Sequence, residues 1–425
     1  MYLVLAALLA AVPPQARATP PDTAPGAPLS RSEAVALALD HNPQLSAARE
    51  QVAEARAGVV QAVAIPDPTL GATLDEESGV FAPGAEATRA LALGLTIPSP
   101  SRLVLRGRVA RGDLHATQFG YTALRQQIAA QTVQSYDALL VARRHARDLD
   151  SARVVAQDFV RRTRARYQAG TAAKLDVVKA TVDASQVEND RIAAERDIAN
   201  ARADLNRLLG RTPGAAVEPT DTLAVPPPLP GLAELGERAR AARPELAAMR
   251  AERAGAHSAT SLARQYWVPD LDLALTRTTG PDGAPTYTTD FGIGLPLFFW
   301  QHERGEVAAA KHREAELSAQ SADLAAQVEQ EVRSAYADAE TAMRQVAFLR
   351  DELLPEAQDA YRIASTSYSL GGSSALEVLD AKRVLLDAQS QYADALGAAN
   401  DAVARLELAV GASPSTPAAG TDHDE

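Results

Sequence analysis

Polar and apolar positions alternate along this chain in two different rhythms, and both rhythms occur twice. Strict alternation runs through Thr69-Leu70-Gly71-Ala72-Thr73-Leu74 and through Ala90-Leu91-Ala92-Leu93-Gly94-Leu95-Thr96-Ile97. It returns where Leu271, Leu273 and Leu275 are set between Asp272, Ala274 and Thr276, and where Phe291, Ile293 and Leu295 are set between Gly292 and Gly294. A period of two is that of a strand with one apolar face, so four strands are predicted, at about residues 68–75, 90–97, 270–276 and 287–295. Polar loops containing Gly and Pro, Asp75 to Arg89 and Arg277 to Tyr287, are expected to join them in pairs.

Behind each pair, proline disappears. None occurs from Ser101 to Thr212, and only Pro355 occurs from Leu297 to Ser413. Proline breaks helix interiors, so these stretches can form very long helices. A helix of 60–70 residues at about 1.5 Å per residue reaches roughly 100 Å. Glycine turns at Gly170-Thr171 and Gly371-Gly372 interrupt them. Two antiparallel helical hairpins are therefore predicted, at about 101–209 and 301–411. Leu175, Val178 and Val182, and Leu376 and Leu379, give the returning helices one packed apolar stripe.

The two rhythms recur because the chain is duplicated at a period of about 200 residues. Asn42-Pro43-Gln44-Leu45-Ser46-Ala47-Ala48-Arg49 corresponds to Arg243-Pro244-Glu245-Leu246-Ala247-Ala248-Met249-Arg250. Ile65-Pro66-Asp67 corresponds to Val268-Pro269-Asp270, and Leu209-Gly210 to Val410-Gly411. The halves are placed at 29–213 and 229–413, joined by a proline-rich linker, 214–228. Strands with one greasy face suit a membrane β-barrel. Four strands are too few to close one, so several chains must contribute.

Composition narrows the function. The chain has 425 residues, no cysteine, 4% aromatic residues and a net charge of −12. Without cysteine there is no disulfide, thiolate metal site, cysteine nucleophile or acylated N-terminal cysteine. An acidic chain repels phosphates, which argues against nucleic acid as a partner. The apolar stretch Met1 to Val12, followed by Ala16-Arg17-Ala18, reads as an export leader, 1–18. Residues 19–28 read as a proline-rich tether, and 414–425, ending Asp422-His423-Asp424-Glu425, as a solvated acidic tail. No nucleophile, acid–base pair, cofactor motif or metal-ligand spacing is found. Asp290-Phe291-Gly292 lies on an alternating strand and lacks the companions of a kinase signature.

Duplicated halves, each a strand hairpin followed by a long helical hairpin, resemble the TolC-type outer-membrane factors of efflux and type I secretion systems. The specific motifs are Arg166-Tyr167-x-x-Gly170-Thr171 through Leu175-Asp176-Val177, its counterpart Tyr368-x-x-Gly371 through Leu376-Glu377-Val378-Leu379-Asp380-Ala381, and the opening Glu33-Ala34-x-x-Leu37-Ala38-x-x-x-Asn42-Pro43. Leu295-Pro296-Leu297-Phe298 followed by Gly305-Glu306-Val307-Ala308-Ala309-Ala310 looks most like the CzcC-like heavy-metal branch. The resemblance implies a mostly α fold with a membrane β-barrel: a homotrimer whose 12-stranded barrel, four strands per chain, continues as an α-helical barrel through the periplasm. It implies a passive, non-enzymatic duct in the Gram-negative outer membrane, without a cofactor. The duct would dock to a periplasmic adaptor and an inner-membrane pump and carry heavy-metal cations or small toxic compounds. A type I protein-secretion duct is the alternative, and a periplasmic coiled-coil adaptor or scaffold a more distant one.

The resemblance also assigns residues. Tyr167, Gly170, Thr171, Gly371 and Gly372 would face the adaptor at the periplasmic tip. Glu377 and Asp380, three apart on one helix face, would form stacked carboxylate rings at the pore constriction. Asp176 and Tyr368 match partners that hold the tip closed, while Ser373 stands where relatives carry an arginine, so this lock is altered. Trp267 and Trp300, flanking the second strand pair, are candidates for the membrane interface.

Overall fold

The computed structural model describes residues 28–76, 87–279, 283–294 and 298–412. The expected leader, all but the last residue of the tether, and the acidic tail lie outside the described residues, as do Leu295 and parts of both strand-connecting loops.

Each half begins with two helices meeting at a proline. In the first half these are α1 (Arg31–His41) and α2 (Pro43–Ala62), in the second α5 (Leu232–Ala242) and α6 (Pro244–Ala263). Proline at the first helical position has no amide to leave unpaired there, and Asn42 caps α2 by accepting from the Gln44 amide at 2.9 Å. The sequence reading assigned no element to either segment. A short parallel pair, β1 (Pro28–Leu29) with β4 (Glu218–Pro219), ties the start of the first half to its end.

The strands are β2 (Thr69–Glu76), β3 (Ala87–Ile97), β5 (Leu271–Thr279) and β6 (Pro285–Ile293). They form one antiparallel sheet, in the order β2-β3-β5-β6, so the hairpins of the two halves pair with each other. Arg89 and Arg277, expected in the loops, are paired within strands: Arg89 opposite Thr279, and Arg277 opposite both Leu91 and Tyr287. Apolar alternation stops short of the true strand ends because the ladder continues through Thr278, Thr279 and Thr286, β-branched residues that suit a strand without being greasy.

The first helical hairpin is α3 (Pro100–Gln168) and α4 (Lys174–Leu208). In the second, one continuous rod runs through α7 (Phe299–His302), α8 (Ala308–Phe348) and α9 (Leu354–Ser369), and α10 (Ala375–Val410) returns. Two π-helical turns, Glu303–Val307 and Leu349–Leu353, join the rod's parts. The second lies directly ahead of Pro355, whose missing amide would break an α-helical ladder; the wider turn lets the rod continue. Where α3 crosses α6, Gly112 and Gly255 let the backbones touch: a Cβ on Gly112 would stand 2.7 Å from the Gly255 Cα.

Duplication also governs the core. One cluster gathers Ala34, Leu45, Ile128, Tyr136, Leu139 and Leu205, the other Leu235, Leu246, Val328, Val332, Val346 and Leu406. Tyr136 is fully buried and donates to the Leu29 carbonyl at 2.8 Å and to Asp221 at 2.7 Å. Burial and the Asp221 bond push its phenol up to about 12.

Candidate functional site

Two places in the fold carry the candidate chemistry: the helical tips and the sheet.

Each tip closes with the same device. Gly170 (φ +77°) donates to the Tyr167 carbonyl at 3.0 Å, and Thr171 to the Arg166 carbonyl at 2.9 Å. In the second tip Gly371 (φ +85°) donates to the Tyr368 carbonyl at 3.0 Å, and Gly372 to the Ser367 carbonyl at 2.8 Å. This is a Schellman closure, which needs a left-handed residue and hence glycine. The returning helices then start with equivalent acids. The Asp176 carboxylate accepts from the Ala173 amide at 3.3 Å, and Glu377 from the Ser374 amide at 3.4 Å. Both acids favour the positive end of a helix. Tyr167, Gly170, Thr171, Gly371 and Gly372 are all exposed. Glu377 and Asp380 are exposed too, and Asp380 forms no ion pair with the described residues.

The tips differ in what lies behind the turn. Tyr167 is 44% exposed, whereas Tyr368, at the equivalent position, is 6% exposed. The Tyr368 ring packs on Phe159 at 5.3 Å, its hydroxyl donates to Thr163 at 3.4 Å, and the Arg166 guanidinium sits 4.5 Å over the ring centroid. Arg166 also donates to the Tyr368 carbonyl. Within the chain, then, the first hairpin holds the second through Arg166 and Thr163. Asp176 and Tyr368 are not hydrogen-bonded to each other here, and the Ser373 hydroxyl donates to the Ala364 carbonyl at 3.1 Å within its own hairpin. Arg166 opens the first tip motif, but the motif alone does not show what it holds. A signal was present: its counterpart in the second half is Ser367, a break in the duplication. Further from the tip, the buried Lys382 of α10 donates to Asp183 of α4, a second tie between the hairpins.

The sheet presents two different faces. Register aligns Leu70, Leu93 and Leu275 in one row, Leu95, Leu273 and Phe291 in the next, and Ile97, Leu271 and Ile293 in a third. Apolar residues of this size would be buried in a soluble protein; here Leu70 is 72% and Phe291 74% exposed. On the other face the rows read Gly71, Ala92, Thr276, Thr288, and Thr69, Gly94, Ala274, Asp290, which are small or polar. Both outer strands, β2 and β6, have one edge unpaired within the chain. The helix-side end is pinned by Asp270, which accepts from the Ser99 amide at 3.2 Å and from Arg102 at 2.9 Å. Trp267 and Trp300 lie at this end, both exposed. No helix among the described residues is long and apolar enough to cross a membrane.

A sheet with one greasy and one polar face, carried on two long duplicated helical hairpins, defines an outer-membrane channel protein. The family profile of outer membrane efflux proteins matches residues 34–211 and 235–412, one match per half, and the chain belongs to that family. It is the outer-membrane channel component of an efflux system, with its helical part in the periplasm. The chain is 25% identical to the cobalt-zinc-cadmium resistance protein CzcC of Cupriavidus metallidurans, over 90% of each protein. It is 26% identical to the pyoverdine export outer membrane protein OpmQ of Pseudomonas aeruginosa, over 72% of this chain and 64% of that one. Among solved structures, the outer-membrane channel OprN superposes with a TM-score of 0.77 at 20% identity, over 90% of this chain and 89% of that one. CusC gives 0.76 at 20% identity, over 90% and 92%.

Proposed function

We propose that three copies of this chain close their sheets into a 12-stranded barrel, stack their hairpins into one helical tube, and serve as the passive exit duct of a tripartite pump for heavy-metal cations or small toxic compounds. The observation that carries this is the sheet: four strands, two free edges and an exposed apolar face. An unpaired edge in lipid leaves several kcal/mol per backbone group uncompensated, and pairing β2 of one copy with β6 of the next removes every edge. The returning helices agree with assembly. Leu175, Val178 and Val182, expected to pack within the chain, are exposed on α4 and would pack between copies.

The cargo reading rests on the relatives: one is named for cobalt, zinc and cadmium resistance and another for pyoverdine export. At the tip, Tyr167, Gly170, Thr171, Gly371 and Gly372 would meet the periplasmic adaptor, and through it the inner-membrane pump. Asp176, Tyr368 and Ser373 would take part in closing the tip, with Arg166 as the added element. Glu377 and Asp380 of the three copies would form two stacked rings at the constriction, and crowded carboxylates attract cations. Trp267 and Trp300 would anchor the barrel at the periplasmic interface. In planar bilayers, the purified protein is expected to form cation-selective channels blocked by divalent ions from the tip side. Unchanged selectivity and block in the Glu377→Ala/Asp380→Ala variant would remove the ring from the account. A host deleted for the gene is expected to become sensitive to cobalt, zinc or cadmium; unaltered resistance would redirect the cargo to another class.

A further inference from the structure

We infer that Arg89 and Arg277 form a site for the phosphates of the outer-leaflet lipid. This rests on the barrel reading, and adds to it a ligand that the duct's transport role does not require.

The sheet's register sets the geometry. Arg277 pairs with Leu91 and Tyr287, in the row immediately beyond Leu70, Leu93 and Leu275. Arg89 pairs with Thr279, so it stands diagonally across from Arg277 on the adjacent strand. Diagonal neighbours of this kind lie about 7–8 Å apart, close enough for two guanidinium groups to grip one phosphate or two linked to a single sugar unit. Alternation puts both on the apolar, outward face with Leu91, Leu93 and Leu275, and both are exposed. Neither has an ion-pair partner among the described residues, although most arginines of the helical hairpins do. β3 and β5 are the inner strands of the four, so neither arginine is taken up by pairing between copies.

The height is right as well. Strands leave the helices near Val268 and turn back beyond Thr279, so Arg277 is at the end remote from the periplasm. Ten residues separate Trp267 from Arg277; at up to about 3.3 Å each and tilted about 40°, they place Arg277 at most roughly 25 Å above the Trp267 level, near the ~25 Å height of the apolar band of such barrels. Tyr287, directly opposite Arg277 and 66% exposed, occupies the headgroup level on the same face. An arginine in mid-bilayer is costly, but at the interface the cost falls to about 0–1 kcal/mol and a phosphate partner offsets it. The outer leaflet of a Gram-negative outer membrane is built of lipid A, which is phosphorylated and therefore complementary. One such arginine pair would recur in each of the three chains, on the outward surface and away from the lumen.

The test is native mass spectrometry of the detergent-purified assembly with diphosphoryl lipid A, and with the same lipid after dephosphorylation. Wild type is expected to retain the diphosphoryl form at least about tenfold more than the dephosphorylated one, and Arg89→Gln/Arg277→Gln to lose about tenfold in retention. Equal retention of both lipids, or unchanged retention by the double variant, overturns the site. The barrel reading is checked apart from this: the double variant should still fractionate with outer membranes and conduct in planar bilayers. If wild type itself does neither, it is the barrel reading that fails, and this site fails with it.

Discussion

Tyr167 and Tyr368 occupy the same place in two copies of one motif, yet one stands in solvent and the other is buried under an arginine. Both precede a left-handed glycine, and both lie in Schellman closures with the same hydrogen bonds. Turn chemistry therefore does not separate them. What does is the neighbouring hairpin: Phe159, Thr163 and Arg166 of α3 all converge on Tyr368, and among the described residues the second half supplies no equivalent ring, hydroxyl or guanidinium contact to Tyr167. The lesson is that duplication preserved the turn while one-sided change, Arg166 against Ser367, made one tip hold the other. The first tip is thus the more freely presented, and the second is the one held from within the chain.

The largest expected effect is at the buried tyrosine. Tyr368→Ala empties a site lined by Phe159, Ala180, Ala375 and Val378 and should cost about 3 kcal/mol locally, read as lost hydrogen-exchange protection at the tip and as higher open-state conductance. Tyr167→Ala should change stability by less than about 0.5 kcal/mol and act on adaptor affinity instead. Equal responses of the two would erase the distinction. Next is Lys382→Ala, which strands Asp183 without its cation; with Asp183 partly hydrated, a loss of about 2 kcal/mol in thermal unfolding is expected. Arg166→Gln should remove about 1 kcal/mol, through the ring face and the Tyr368 carbonyl, and raise spontaneous opening while leaving Tyr167 exposed as before.

The smallest effect lies far from the tips and serves as their control. Burial raises the Asp137 carboxyl above its ordinary range, and the ion pair with Arg31 opposes this only in part. The folded state then binds this proton more tightly than the unfolded chain. The group's contribution to stability is complete below the unfolded value and is lost as pH rises through the raised folded one. Measured against Asp137→Asn, wild type should therefore gain unfolding temperature as pH falls from neutral towards about 4, with no change in tip opening. A gain on moving in the alkaline direction would reverse the assignment.

How much could be read in advance differed by region, for physical reasons. Long helices announced themselves through the absence of proline, and strands through alternation, because both are one-dimensional patterns. Strand ends did not, since threonine sustains a ladder without marking a greasy face; Arg89 and Arg277 were misplaced into loops for that reason. The α2 and α6 helices went unassigned although Pro43 and Pro244 mark their first positions, a start signal that the sequence carries in both halves. At the tip, glycine and tyrosine positions were visible from the motif, but the contact between Arg166 and Tyr368 joins residues about 200 apart. Nothing local to either position encodes it. Only comparison of the halves hinted that Arg166 mattered.

All of this depends on copies completing what one chain leaves open. The most direct measurement is the mass of the particle extracted from the outer membrane in mild detergent, by native mass spectrometry. The account predicts a particle of three chains that falls apart only when the barrel unfolds. A single chain, stable in water without detergent, would contradict it.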